Sequence, residues 1–199
     1  MDVVHIEDGL WRWTAAHPDW KPGDDWDREV GCVYWEAAEA VVLVDPLVPI
    51  DVAERDHFLE ALDRDVERCA LPVVVLLTCE WHARSAEELA ERYGGRVLDR
   101  SRDAPLPGDA RVIAAPAAEE VVYWLPSPRA VVPGDALIGT HDGVMLCPES
   151  WLDSRGDLAQ LARDLTPLLE LPVERVLTSH GPPVLTDGGA ALAAALARV

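Results

Sequence analysis

The sequence predicts an α/β protein with two mixed β-sheets and helices outside them. Three observations carry that expectation. "VVLV" and "PVVVLL" are apolar runs of strand length, as expected of strands buried on both faces. Several segments repeat apolar residues at the helical period. Hairpin-forming runs followed by strand–helix units occur twice along the 199 residues.

Taken in order, "VHIEDGLWRWTA" alternates and reads as a strand. "EVGCVYWEA" and "EAVVLVDP" read as a β-rich hairpin. "DVAERDHFLEALDRDVER" places Leu59, Leu62 and Val66 on one helical stripe, with Asp51 as N-cap. "LPVVVLLT" is a buried strand. The following helix sets Ala86, Leu89, Ala90 and Tyr93 on one face and stops at Gly94 and Gly95. "RVLD" is a short strand. In the second half, "ARVIAAP" opens a sheet, and "EEVVYWLP" and "RAVVPGDALIG" pair across the turn "SPR". "DLAQLARDLTPLLEL" is amphipathic through Leu158, Leu161, Ala162, Leu165, Leu168 and Leu169. "ERVLTSH" is a strand ending on a polar turn, and "GGAALAAALARV" a closing helix. No linker, repeat or low-complexity tract interrupts this pattern, so residues 1–199 are read as a single domain.

Composition narrows the function classes. Lys and Arg number 17 against 36 Asp and Glu, a formal charge of −19. Nucleic-acid backbones and anionic membranes both require a basic face, so neither is expected as a partner. A small-molecule substrate or ligand is. No apolar run reaches the roughly 20 residues of a membrane span. "MDVVHIEDGLWRW" lacks the basic-then-apolar order of a secretory signal. Cys32, Cys69, Cys79 and Cys147 are scattered, as thiols in a reducing compartment would be. The expected location is the cytoplasm.

Polar clusters sit at the ends of the apolar runs: Asp45, the Thr78–Ser85 turn, Gly134–Asp135, and Ser179–His180–Gly181. Loops leaving strand ends are where such sheets bind ligands. An Asp or His at a strand end is more often a cap or turn former, so the clusters matter only if they converge.

Their order is a strand ending in "VDP", one ending in Thr-x-x-W-H, a "PGD" after a hairpin strand, and a late "SHG". This order resembles the metallo-β-lactamase-like hydrolase superfamily over about residues 10–190, most closely in "VVPGDALIG" and "VLTSHGPPV". The resemblance implies an αββα sandwich. It implies a metal site built from an H-x-H-x-D-H turn, a further His, an Asp and a last His. Here Asp135 and His180 match the last pair. The turn reads Thr78-Cys79-Glu80-Trp81-His82-Ala83-Arg84-Ser85 and departs from the pattern in either register. With a one-residue offset, His82 lies over the second His, Glu80 over the first, Arg84 over the Asp and Ser85 over the third His. Without it, Cys79 and Arg84 replace the first and third. "IAAPAAEEVVYW" lacks the middle His.

Zinc takes nitrogen, thiolate and carboxylate donors, and a catalytic site needs about three of them plus a water. The resemblance therefore implies at most one zinc, iron or manganese ion, on His82, Asp135 and His180, with Glu80 as ligand or base. Asp45 would support the turn from behind. The reaction would be hydrolysis of an ester, thioester or amide by metal-activated water. Arg84 argues against this, because a guanidinium cannot lose its proton. The alternative is a metal-free binding or scaffold protein in which Arg84, with His82 and His180, holds an anionic or carbonyl-bearing ligand. Cys79 is a weaker candidate, as a nucleophile at a helix start, and Ser85 reads as that helix's N-cap. Trp11, Trp13, Trp20 and Trp26 leave three readings open: pocket rim, homodimer contact, or packing over the sheet edge. His141 is a spare ligand; His5, His17 and His57 read as surface or capping residues.

Overall fold

The computed structural model describes residues 1–98, 105–154 and 156–199. The chain divides into two compact units, Met1–Ser101 and Arg102–Val199.

The first unit is a six-stranded sheet in sequence order: β1 (Asp2–Glu7), β2 (Leu10–Ala16), β3 (Glu29–Glu36), β4 (Val41–Val44), β5 (Val73–Leu76) and β6 (Arg96–Leu98). The first four strands pair antiparallel, and β5 and β6 add parallel to β4. Parallel pairing requires crossovers. These are α1 (Val52–Cys69) and α2 (Ala86–Arg92). Asp51 caps α1 by accepting the Glu54 N–H at 3.0 Å. Phe58, Leu59 and Leu62 of α1 and Ala86, Leu89 and Ala90 of α2 pack on Trp13, Tyr34, Leu43 and Val75. The alternate residues Val33, Trp35, Val42, Val44, Val74 and Leu76 point to the opposite face and are also buried. Burial on both faces explains why β4 and β5 read as unbroken apolar runs.

One expectation changes here. "VHIEDGLWRWTA" is a hairpin rather than one strand, because Gly9 turns the chain at φ +76°. The "D" of "RVLD" lies outside the described residues. The tryptophan segment also resolves in part. Trp11 stacks on Tyr34 at 4.6 Å, and Trp13 lies 5.2 Å from Phe58. Trp20 donates its indole N–H to the Trp26 carbonyl at 2.9 Å. Trp11, Trp13 and Trp26 thus pack on the sheet core, the third of the open readings.

The second unit has a four-stranded sheet. Its meander is β7 (Arg111–Ala115), β8 (Glu120–Leu125) and β9 (Ala130–Val132), with β12 (Arg175–Val176) parallel to β9. A separate hairpin pairs β10 (Leu137–Thr140) with β11 (Gly143–Leu146). "RAVVPGDALIG" is therefore two strands. Pro133 offers no N–H to a ladder, and Gly134 sits at φ +60°. Helices α3 (Leu158–Leu165) and α4 (Gly188–Leu196) cover Val122, Trp124, Val131 and Val176 with Leu161, Leu165 and Leu192. Pro167 ends the α-helical part, and the chain tightens to a 3₁₀ turn over Thr166–Glu170. The tighter pitch leaves Leu169 exposed rather than on the expected stripe. Among the described residues, no helix is long and apolar enough to cross a membrane.

Candidate ligand site

In the first unit the polar residues gather where β4 and β5 end. The Asp45 N–H donates to the Leu76 carbonyl at 3.0 Å, continuing the parallel ladder for one residue. Asp45 then turns at φ +49°, a left-handed conformation that Asp tolerates better than most residues. This turn aims its carboxylate back under the next strand end. Oδ1 accepts the Thr78 backbone N–H at 2.8 Å, and Oδ2 accepts the Thr78 hydroxyl at 2.6 Å. His82 Nδ1 lies 3.0 Å from Asp45 Oδ2 and 2.9 Å from Thr78 Oγ1. All three residues are buried, so water cannot replace these bonds. A carboxylate accepting from Nδ1–H is the arrangement that orients a ligating histidine through its other nitrogen.

The rest of the turn disperses. Residues Glu80–Ala83 form one 3₁₀ turn. It leaves Glu80 and Trp81 exposed and carries His82 inward. Cys79 is fully buried. Ser85 does not cap its helix; its hydroxyl accepts the Val48 N–H at 3.0 Å and ties the turn to the Asp45–Pro46 loop. Arg84 is half-buried and strained, at φ +31° and ψ −107°. Among the described residues its guanidinium makes one long contact, Nη1 donating to the Asp45 carbonyl at 3.4 Å. Its Nε is buried and has no hydrogen-bond partner among the described residues. A buried unsatisfied donor costs about 1–3 kcal/mol, and strain of this kind costs a similar amount.

In the second unit, Asp135 and His180 come together: Nε2 of His180 lies 3.3 Å from Asp135 Oδ1. Trp151 packs edge-on against the imidazole at 5.3 Å. Sequence reasoning missed Glu120, which is buried at the start of β8. Its Oε2 accepts the backbone N–H groups of Asp135 and Ala136 at 2.9 and 3.0 Å, pinning the "PGD" turn. The signal was a charged residue leading an otherwise apolar strand, "EVVYWL". Cys147 is pushed up to about 12 by burial, with Glu120 and Asp135 adding to the shift, so it stays a thiol. His141 is fully exposed and lies 3.0 Å from Asp142.

The "SHG" turn is set by close backbone approach. The Gly139 N–H donates to the His180 carbonyl at 2.8 Å. A Cβ at Gly139 would fall 1.9 Å from the Pro182 carbonyl oxygen. Gly181, at φ +74°, faces the Gly139 carbonyl, where a Cβ would fall 2.2 Å from the oxygen. Gly139→Ala is expected to destabilise by about 1–3 kcal/mol, because backbone rather than a flexible side chain must move. Thermal melting checks this. A melt unchanged from wild type would show that the two loops separate easily.

The resemblance implies a metal centre, and the donors do not fit one. A zinc site needs three or four converging side chains. Among the described residues, no three His, Cys, Asp or Glu side chains cluster closely enough to hold an ion. His82 is oriented as a ligand would be, but Glu80, the candidate beside it, faces solvent and Arg84 puts a permanent cation in the same turn.

No family model matches the chain, and no curated protein matches it. Solved structures do. The metallo-beta-lactamase FIM-1 from Pseudomonas aeruginosa, in its mono-zinc form, aligns at TM-score 0.61 and 14% identity, covering 99% of this chain and 95% of its own. A metallo-beta-lactamase from Pontibacter korlensis aligns at TM-score 0.57 and 17% identity, covering 100% and 99%. A metallo-beta-lactamase family protein from Thermus thermophilus aligns at TM-score 0.56 and 17% identity, covering 98% and 80%. At such identities the likeness speaks for the fold and not for activity. The chain has the metallo-β-lactamase fold.

Proposed function

We propose that this chain is a metal-free protein on the metallo-β-lactamase fold, binding a small anionic ligand through Arg84. The observation that carries this reading is the state of the Arg84 side chain. It holds a permanent charge on a strained backbone, with one long contact and a buried, unsatisfied Nε. A buried N–H left without an acceptor is costly. A carboxylate or phosphate oxygen would accept the idle N–H and neutralise the charge. The scattering of the donor residues supports the same reading, because a divalent ion would need neighbours that the turn does not supply.

Two measurements test it. Protein from zinc-supplemented growth is expected to carry far less than one metal ion per chain by plasma mass spectrometry. Acetate or phosphate is expected to raise the melting temperature of wild type but not of Arg84→Gln. Near-stoichiometric zinc, iron or manganese that His180→Ala removes would overturn the reading. It would return the chain to the hydrolases.

A further inference from the structure

The second unit carries a groove on its surface, about 610 Å³ in volume. It runs between the turn of the β10–β11 hairpin, the loop 182–187 and one face of α4. Leu185, Ala190, Ala191 and Ala194 supply its apolar lining, and Asp142 and Asp187 its acidic groups. Leu185 is 38% exposed, and Ala190 and Ala194 are exposed as well. The inner face of α4, with Leu192 and Ala195, is buried in the core of the unit. From Gly188 to Ala197 the chain has no polar side chain at all. A helix on a protein surface ordinarily turns polar residues outward, and this one turns alanine outward instead.

The two ends of this apolar face carry opposite charges. Asp187, Ala191, Ala194 and Arg198 follow one another at spacings of four, three and four residues, which places them on one side of a helix. The Arg198 N–H donates to the Ala195 carbonyl at 3.3 Å, so the coil keeps turning past Leu196. Eleven steps of about 1.5 Å set the two charges about 16 Å apart. Both residues are exposed, and among the described residues neither side chain has a hydrogen bond or an ion pair. Asp187 stands at the N-cap position without capping. The start of α4 is not open to an anion. Gly188 and Gly189 donate their N–H groups to the Glu174 and Val173 carbonyls at 2.8 and 2.9 Å, and Asp142 and Asp187 make the groove there acidic.

We propose that this face docks a second copy of the chain, with the two α4 helices antiparallel about a two-fold axis. A two-fold interface must be complementary to itself. The register that sets Asp187 against the partner's Arg198 also sets Arg198 against the partner's Asp187, and Ala191 against the partner's Ala194. The alanines let the helix backbones approach closely, and the end of each helix covers Leu185 of the other copy. The helix dipoles run head to tail as well. Exposed ion pairs contribute little by themselves. Here they set the register, while burial of the apolar groove supplies the affinity. Other occupants fit worse. A basic ligand answers Asp187 but meets Arg198 with like charge, and an acidic one does the reverse. Only a partner with the two charges in opposite order answers both. One helix and one loop cover less than the roughly 800 Å² per partner of a standard interface, so the dimer is expected to come apart on dilution.

The test is sedimentation equilibrium of the full chain over a range of concentrations. Wild type is expected to pass from monomer to dimer as concentration rises. Asp187→Lys and Arg198→Glu, each alone, turn both attractions into repulsions and are expected to weaken the dimer about tenfold or more. Mixing the two variants restores opposite charges at both ends, so the mixture is expected to associate as wild type does. That recovery also shows that both variants are folded. Ala194→Arg, which fills the centre of the face, is expected to leave the chain monomeric. The proposal is overturned if wild type stays monomeric up to about 1 mM, a level at which any association is too weak to be specific. It is overturned equally if a dimer forms but ignores all three substitutions, since another face then pairs. It also fails if the two charge variants are each monomeric and do not associate on mixing. None of these outcomes bears on Arg84.

Discussion

Asp45→Ala is expected to destabilise the protein by about 3–5 kcal/mol, the usual result of removing one partner from a buried charged network. The carboxylate accepts the Thr78 N–H, the Thr78 hydroxyl and the contact from His82 Nδ1, all out of water. Alanine would leave these donors without an acceptor and would also hold the left-handed backbone at φ +49° less well. For a chain of this length the melting temperature is expected to fall by about 6–20 °C. Asp45→Asn is expected to fall less. Asparagine tolerates the same backbone, and its carbonyl can still accept the Thr78 N–H. A melt of Asp45→Ala within a degree or two of wild type would show that the network contributes nothing to stability. The same variant is expected to weaken the Arg84 response to anions, since the Asp45 side chain holds the turn that aims the backbone carbonyl Arg84 touches.

Trp13→Ala is expected to cost about 3–5 kcal/mol by a different route. Trp13 is fully buried in the layer between the first sheet and α1. It touches Phe58 and Trp11, each at 5.2 Å between ring centroids, and donates its indole N–H to the Leu47 carbonyl at 2.9 Å. Truncation opens a cavity and leaves that carbonyl without its donor. Leu47 lies two residues beyond Asp45, so the loop carrying Asp45 is expected to loosen as well. Trp20→Ala is the control. Its ring is half-buried and, among the described residues, its indole N–H bonds within its own loop, to the Trp26 carbonyl. Urea unfolding separates the two. Equal losses for both variants would mean that Trp13 is no more important than a loop tryptophan.

The comparison of these two residues shows what was legible beforehand. "WRWTAA" alternates, and alternation placed Trp13 on one face of a strand. It could not say that the face lies under α1, because Phe58 is 45 positions away in the chain. Asp45 was legible as a strand-end carboxylate, and the resemblance gave it a supporting place behind the turn. Its bond to His82 spans 37 positions. The unbroken "VVLV" and "VVVL" were readable as strands covered on both faces, since nothing else accommodates so many consecutive apolar side chains. Errors fell at glycine and proline, where one residue redirects the chain. Gly9 split the first strand into a hairpin, Pro133 and Gly134 split "RAVVPGDALIG", and Pro167 tightened the end of α3. In each case periodicity continued across a break that backbone conformation imposed.

The sequence by itself determined the order of strands and helices, the residues turned inward along them, and the placing of Asp45, the Thr78–Ser85 turn, Asp135 and His180 at strand ends. Local periods of two and 3.6 residues encode these things directly. Only the tertiary structure decided which side chain each of these residues meets. It turned His82 toward Asp45, left Glu80 in solvent, set Ser85 on Val48 rather than on its own helix, and brought Glu120 under the Asp135 turn. Those pairings follow from strand register and from single φ angles, and a shift of one residue would reverse the face of every one of them.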